Sequence, residues 1–487
     1  MSPTPTHRAA TLTALLAPLL LAACAVGPAP RAPSLPTAAA APSAWQAPAP
    51  QAAFDEAPAP ADGARRGWRQ FDDPVLDALQ AAAQQASPSV AAARTRIAQA
   101  RATRVAAGAA LGPTLDATAA ASRGRQDLSA PLNTAASVGL QAAWELDLFG
   151  ANGAARDAAQ ARLEGARAGW HDARVSVDAE TALAYLDLRA CEAQLAPTRS
   201  DAASRAETAR LTGLAAKAGF QSPANAALAR ASAAQGQASL TQQLAACDRA
   251  VKGLVLLTGL DEPALRERLA AGTGTLPRPA RLDVAAVPAE ALNQRPDIAA
   301  AARELVAASA EVSLAEAQRL PRIALSGQIG AARVSTSAAT LDGTVWSLGP
   351  LSVSLPIFDG GRRRAQVDAA QARHDEAVSA YAARLRSAVR EVEDALVALQ
   401  STAARSADAQ VATEGFEASY RATEARQRGG LASLFELEDA RRSALQAQSA
   451  LIELQRERVA AWIALYRALG GGWAADDLST PADLASR

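Results

Sequence analysis

Histidine is nearly missing from this chain of 487 residues. Only three are present, and His7 lies in a segment expected to be cleaved away. His171 and His374 fall in charge-rich helical stretches, where an exposed helix position is the ordinary role. A zinc site or a Ser-His-Asp triad therefore has almost no raw material. Net charge is missing as well: 49 basic residues balance 49 acidic ones, so nothing draws the chain to nucleic acid. Aromatic residues are only 4% of the total, whereas alanine is abundant. That balance suits long helices in close contact better than a globular enzyme core. The chain reads as no enzyme, and no cofactor or metal is called for.

What is present begins with an address. His7 and Arg8 precede an apolar run through Leu12, Leu15, Leu16, Leu19 and Leu20. The run is too short for a spanning helix and reads as a secretory signal over 1–23. It ends in Leu21-Ala22-Ala23-Cys24, which resembles the lipobox of bacterial lipoproteins. That resemblance implies lipidation of Cys24, and acyl chains there would bury many methylenes in a leaflet. Ala25 follows in place of the aspartate that retains such lipoproteins at the inner membrane, which favours the outer one. A Pro/Ala-rich stretch, 24–62, has no apolar period and reads as a tether. The end, 474–487, reads as a loose polar tail.

Between these the chain is written twice. Leu111-Gly112-Pro113-Thr114-Leu115 answers Leu320-Pro321-Arg322-Ile323-Ala324-Leu325, and Leu146–Gly150 answers Pro356–Gly360. Gly219 answers Gly429 or Gly430, and Leu257-Thr258-Gly259 answers Ala468-Leu469-Gly470. The four pairs keep one order at offsets of roughly 210 residues. The halves are 63–262 and 296–473, joined by a linker over 263–295. Each reads as a helix (about 73–109, then 296–318), two strands, a very long helix, a tight break and a helix running back. The hairpins are placed at about 152–258 and 361–469.

Four segments alternate with period two: about 113–123, 136–149, 321–333 and 345–358. In the second, Val138, Leu140, Ala142, Trp144, Leu146 and Leu148 oppose Ser137, Gly139, Gln141, Glu145 and Asp147. In the third, Ile323, Leu325 and Ile329 oppose Arg322, Ser326 and Gln328; in the fourth, Leu351, Val353, Leu355 and Ile357 oppose Ser352 and Ser354. Lengths near ten residues fit either a soluble sheet or membrane-spanning strands. From Asn152 to Ala218 only Pro197 interrupts a helix, and it should kink or break it. From Arg362 to Gln427 there is no proline. Sixty-odd residues at about 1.5 Å each make a rod of about 90–100 Å. Val378, Tyr381, Leu385, Ala388, Val392, Ala395 and Leu399 recur in steps of three and four, the seam of a coiled coil. The rods turn at Gly219–Pro223 and Arg428–Ser433, where glycine stops one helix and serine caps the next.

If the strands enter a membrane, one chain has too few of them. Open edges in lipid leave backbone groups unpaired at several kcal/mol each, and single-chain barrels need about eight strands or more. Several chains must then pool their strands, and this argument alone does not choose between two chains and three.

Gly67-Trp68-Arg69-Gln70-Phe71-Asp72-Asp73-Pro74, Trp144–Gly150, Arg295-Pro296-Asp297-Ile298, Leu355–Arg362 and Ala468–Trp473 together resemble the signatures of the outer-membrane factors. These are the TolC-like and OprM-like channels, and the lipobox suits their NodT-type lipoprotein branch. The resemblance covers nearly all of the mature chain. It implies a mixed α/β membrane protein: a long α-helical coiled-coil barrel continuing a transmembrane β-barrel completed by trimerisation. It further implies a homotrimer in the outer-membrane lipid, a periplasmic membrane-fusion adaptor and an inner-membrane efflux pump, often of RND type. The adaptor-docking tips carry over to Gly219, Phe220, Ser222 and Pro223, and to Gly429, Gly430, Leu431 and Ser433. The second tip matches the family's Gly-Leu-x-Ser pattern, whereas the first departs from it at Phe220 and Pro223. Acidic gates in the family point to Glu414, Glu417 and Glu424. Finally, Cys191 and Cys247 lie nearly equidistant from Gly219, hence at one height in an antiparallel hairpin within an oxidising compartment, which points to a disulfide.

The function expected is passive conduction of small molecules in a tripartite efflux system. An exit duct for type I protein secretion, and a coiled-coil lipoprotein without a pore, are the alternatives.

Overall fold

The computed structural model describes residues 44–47, 68, 70–125, 132–279 and 292–473. Cys24, the signal segment and the tail from 474 lie outside them. Among these residues the helices and strands run in the order α1 Pro74–Ala86, α2 Pro88–Ala109, β1 Thr114–Gly124, β2 Asn133–Leu146, α3 Ala151–Lys217, α4 Pro223–Thr258, α5 Glu262–Leu269, α6 Pro296–Ala317, β3 Arg322–Ser335, β4 Thr340–Ser354, α7 Arg362–Arg428 and α8 Leu434–Ala468. The duplication is visible in this order. Helices α2 and α6 have 22 residues each, and α3 and α7 have 67 each.

Some boundaries differ from the sequence expectation. The helix expected over 73–109 is two helices, because Pro88 forces Ser87 out of the helical region to ψ 121°. Conversely, α3 runs through Pro197 without a break. Tertiary packing outweighs the one lost backbone hydrogen bond. β2 ends at Leu146 rather than 149, and β4 begins at Thr340 rather than 345. Part of the presumed tether is docked: the Gln46 and Ala47 N–H groups donate to Glu393 at 2.7 and 2.8 Å, and Trp45 packs on the core.

Two compact units divide the chain. One contains Thr95–Arg167 and Ala300–Ala383. Its four strands form one antiparallel sheet in the order β1-β2-β3-β4. Among the described residues, the outer edges of β1 and β4 pair with nothing. Asp147 accepts N–H bonds from Asn152 and Gly153 at 3.0 and 2.7 Å, which caps α3 where β2 runs into it. Asp359 repeats the device for α7, accepting from Gly361 and Arg363 at 3.1 and 3.2 Å. In this unit α6 packs on α3 through Ala307 against Ala158 and Ala161, and on α7 through Val312 and Ala315 against Ala370.

The second unit holds Ala168–Ala299, Arg384–Arg487 and the segment Ala39–Arg94. Its core joins Trp68, Phe71, Tyr185, Leu254, Val392, Leu396, Trp462 and Tyr466. The family-like motifs meet here. Phe71 sets its ring edge-on to Trp462 at 4.8 Å, and Asp73 both caps α1 and accepts the Tyr185 hydroxyl at 2.7 Å. Arg295, buried, holds both Asp297 oxygens and donates to the Ala468 carbonyl at 2.9 Å. Gly470, at φ +92°, lies so close that a Cβ there would stand 1.9 Å from the Gln294 carbonyl oxygen. The Arg295–Ile298 and Ala468–Trp473 motifs are thus a structural clasp. The seam residues Leu385, Ala388, Val392, Ala395 and Leu399 are all buried.

Candidate functional site

The sheet is one layer thick. Every residue of β1 is exposed, and nearly every residue of β4. Register sorts the side chains onto two faces. Ala117, Leu140, Ile329 and Trp346 stand opposite one another in a transverse row, and Trp144, Leu325 and Leu351 in another. The rows between them run Asp116, Gln141, Gln328 and Ser347, on the other face. One face is therefore apolar and one polar, along strands of 11 to 15 residues. Such strands are long enough, when tilted, to cross a hydrocarbon core that needs about 9–11. Leu348 and Leu351 are three residues apart yet share the apolar face, because Gly327 pairs with Leu348 and Leu325 with Leu351. Ser326 alone opposes Gly349 and Pro350, and this β-bulge reverses the alternation of β4. Among the described residues, no helix is long and apolar enough to cross a membrane.

Both hairpin tips have the same build. Gly219 and Gly430 take φ +80° and +72°, and the next residue's N–H bonds back to a carbonyl five residues earlier, Phe220 to Ala215 and Leu431 to Arg426, each at 2.8 Å. These are Schellman stops. Ser222 then caps α4 by accepting from Asn225 at 3.1 Å. Ser433 caps α8 in a reciprocal box with Glu436. Gly430, not Gly429, is the counterpart of Gly219. The caps turn Phe220 and Leu431 outward, 84% and 74% exposed, with Pro223 in the first turn of α4.

Glu414, Glu417 and Glu424 lie on the surface of α7. Glu414 accepts from Gln410 at 2.8 Å, Glu417 pairs with Arg421, and Glu424 pairs with Arg428 at 2.9 Å. A buried polar network stands nearby and was not singled out in the sequence. Arg441, 4% exposed, pairs with Glu438 at 2.6 Å and donates to Ser204 and Thr208 at 3.0 and 3.2 Å. Ser232 donates to Glu438 at 2.7 Å, and Arg205 binds Asp201 at 2.7 Å. The network stitches α3, α4 and α8 together, and Tyr420 of α7 reaches Ser204 at 3.3 Å. Its signal was available: Leu434, Leu437, Glu438, Arg441 and Ala444 fall at helical spacing, so two charges sit on an apolar face. Beside it lies a cleft of about 150 Å³ lined by Pro197, Asp201, Tyr420, Arg421 and Arg441. Cys191 and Cys247 are joined by a disulfide across α3 and α4, with their Cα atoms 5.5 Å apart.

Comparison with known proteins matches residues 79–260 and 287–471 to the family described as outer membrane efflux protein. The chain is 32% identical to outer membrane protein OprJ of Pseudomonas aeruginosa over 478 residues, 95% of this chain and 96% of that one. It is 33% identical to the pyoverdine export outer membrane protein OpmQ of Pseudomonas putida over 457 residues, 91% of this chain and 95% of that one. Its structure resembles the outer-membrane channel OprN with a TM-score of 0.78 at 29% identity, covering 92% of this chain and 100% of that one. The open state of the Neisseria gonorrhoeae MtrE outer membrane channel gives 0.75 at 25% identity, covering 93% and 99%.

Proposed function

The chain belongs to the outer membrane efflux protein family, with the TolC-like fold of outer-membrane channels, and on that premise we propose that three copies form a passive exit duct. The duct carries small molecules from an inner-membrane pump of RND type, through a periplasmic adaptor, to the exterior. The observation that supports this reading is the two-faced sheet with both edges open. Its apolar face suits hydrocarbon and its polar face suits a water-filled lumen. The free edges of β1 and β4 require strands from other copies, since unpaired edge groups cost several kcal/mol each in lipid. Two copies would bring eight strands, about the number whose interior side chains fill, whereas three leave a channel.

The remaining parts take their places around that wall. Acylation of Cys24 anchors the chain to the outer membrane. The exposed Phe220 and Leu431 tips, with Gly219, Ser222, Pro223, Gly429, Gly430 and Ser433 shaping them, dock the adaptor. Glu414, Glu417 and Glu424, three times over, line the periplasmic entrance, with Glu417 and Glu424 held there by Arg421 and Arg428. Planar-bilayer recording and native mass measurement in detergent test the proposal together. The expected result is a three-copy particle with ohmic conductance, and a one-copy particle without conductance would overturn it.

A further inference from the structure

Charge in the sheet is sorted by face and by height. The charged residues of its strands are Asp116, Arg123, Glu145, Arg322, Arg333 and Asp342. Register puts Asp116, Glu145 and Arg322 on the polar face. Arg123, Arg333 and Asp342 stand on the apolar face, in the last two rows of that face before the β1–β2 and β3–β4 turns. One row runs Ala121, Ala136, Arg333 and Asp342, and the other runs Arg123, Thr134, Ser335 and Thr340. Both arginines are exposed. Neither makes a hydrogen bond or ion pair among the described residues, although Asp342 is the cross-strand partner of Arg333. The Ser335 and Thr340 hydroxyls lie 2.9 Å apart.

A guanidinium on a lipid-facing strand is strongly destabilising at the centre of a bilayer and nearly neutral at its edge. Strand length puts these two at the edge. From Ile323 to Arg333, β3 advances about 34 Å at about 3.4 Å per residue. A tilt of about 40° reduces that to about 26 Å of height, against about 25 Å for the apolar band of a transmembrane barrel. With Ile323 at one boundary of the hydrocarbon, Arg333 stands at the other. The opposite ends of β2 and β4 lead into α3 and α7, so the boundary at Arg333 belongs to the outer leaflet.

Arg123 and Arg333 are two strands and one row apart, about 12 Å between Cα atoms for strands about 4.8 Å apart. Two long side chains can converge on one anion across that gap. Phosphate suits them, because a guanidinium fork donates two parallel bonds to its oxygens. Just below, on the same face, Val138, Leu140, Ile329 and Trp346 are exposed and apolar. An anion carrying acyl chains fills both parts of this surface, whereas free phosphate fills only the first.

We propose that Arg123 and Arg333 bind the phosphate of a phosphorylated glycolipid in the outer leaflet, with its acyl chains laid over Val138, Leu140, Ile329 and Trp346. Thr134 and Ser335 supply hydroxyl donors beside the phosphate. Asp342 opposes the anion and limits its affinity. The inference rests on the membrane-spanning, trimeric reading above.

The test uses the purified full chain, freed of lipid in detergent and titrated with bisphosphorylated lipid A, its dephosphorylated form, or inorganic phosphate. Native mass spectrometry reads the lipid held by the three-copy particle. The unaltered chain should hold the phosphorylated lipid and release it when phosphate is removed from the headgroup. Arg123→Gln combined with Arg333→Gln should weaken binding about tenfold, and Asp342→Asn should strengthen it. Equal binding of the two lipids by the unaltered chain overturns the site, whether or not the variants assemble. Unchanged affinity in the double variant overturns it as well. Displacement of the lipid by an equal concentration of inorganic phosphate would show that the acyl chains add nothing, and would overturn the lipid as occupant. A conducting three-copy particle that fails these tests sinks the site alone, whereas a one-copy particle without conductance sinks the reading beneath it.

Discussion

Gly139 and Gly330 stand directly opposite each other on β2 and β3, and neither tolerates a side chain. A Cβ on Gly330 would lie 2.4 Å from the Val138 carbonyl oxygen, and one on Gly139 would lie 2.7 Å from that of Ile329. The two strands close together at this point on the polar face. Gly330→Val should therefore sharply reduce assembled protein in the outer membrane, read as heat-resistant trimer. Gly343→Ala, whose Cβ meets nothing within 4 Å, should assemble as the unaltered chain does.

The hairpin tips should be separable from the channel. Phe220→Glu combined with Leu431→Glu leaves both Schellman stops and both serine caps in place. The variant should assemble and conduct normally in planar bilayers while the cell loses about tenfold in efflux-dependent resistance. Loss of conductance along with resistance would assign these residues to the wall rather than to docking.

Asp178 should impose a pH dependence on stability. Burial pushes its carboxyl up from 3.8 to about 6, against the opposing pull of Gln84, Arg174 and Trp68. The folded state then binds the proton more tightly than the unfolded chain. This group's contribution is most favourable below pH about 4, falls as pH rises through about 4 to 6, and is level above. The loss is about 3 kcal/mol per protomer at about 1.4 kcal/mol per pKa unit. Asp178→Asn should flatten that part of the slope in thermal midpoints measured from pH 4.5 to 7.5, and an unchanged slope would remove Asp178 as its source.

Reduction should weaken the first hairpin alone. The Cys191–Cys247 bond closes a sequence separation of 56 residues, for which chain entropy gives about 4 kcal/mol. Dithiothreitol should lower the unfolding midpoint of the native protein and leave that of Cys191→Ser/Cys247→Ser unmoved. Hydrogen exchange should rise in α3 and α4 while α7 and α8 keep their protection.

Much of the architecture is legible in the sequence because it is local. Period two in β2 and β3, steps of three and four from Val378 to Leu399, and Gly-x-x-Ser at the tips are all written within a few residues of one another. The same locality explains what was misread or missed. Trp45 belongs to a Pro/Ala-rich run, and nothing nearby says that Glu393 will receive the backbone beside it. Leu348 seems to fall on the wrong face of β4 until the bulge opposite Ser326 is known. Glu438 and Arg441 share a face with Leu434 and Leu437, but their partners on α3 and α4 are known only once those helices pack against them.

The sequence by itself determined the duplication, the alternation of the strands, the proline-free rod of α7 and the presence of a glycine stop at each tip, because backbone preference and hydrophobic period act over a few residues. Tertiary structure alone decided strand register, the Arg295–Ala468 clasp, the choice of Gly430 over Gly429 and the continuity of α3 through Pro197. Those depend on pairings between segments far apart in the chain, whose energies exist only once the segments have met.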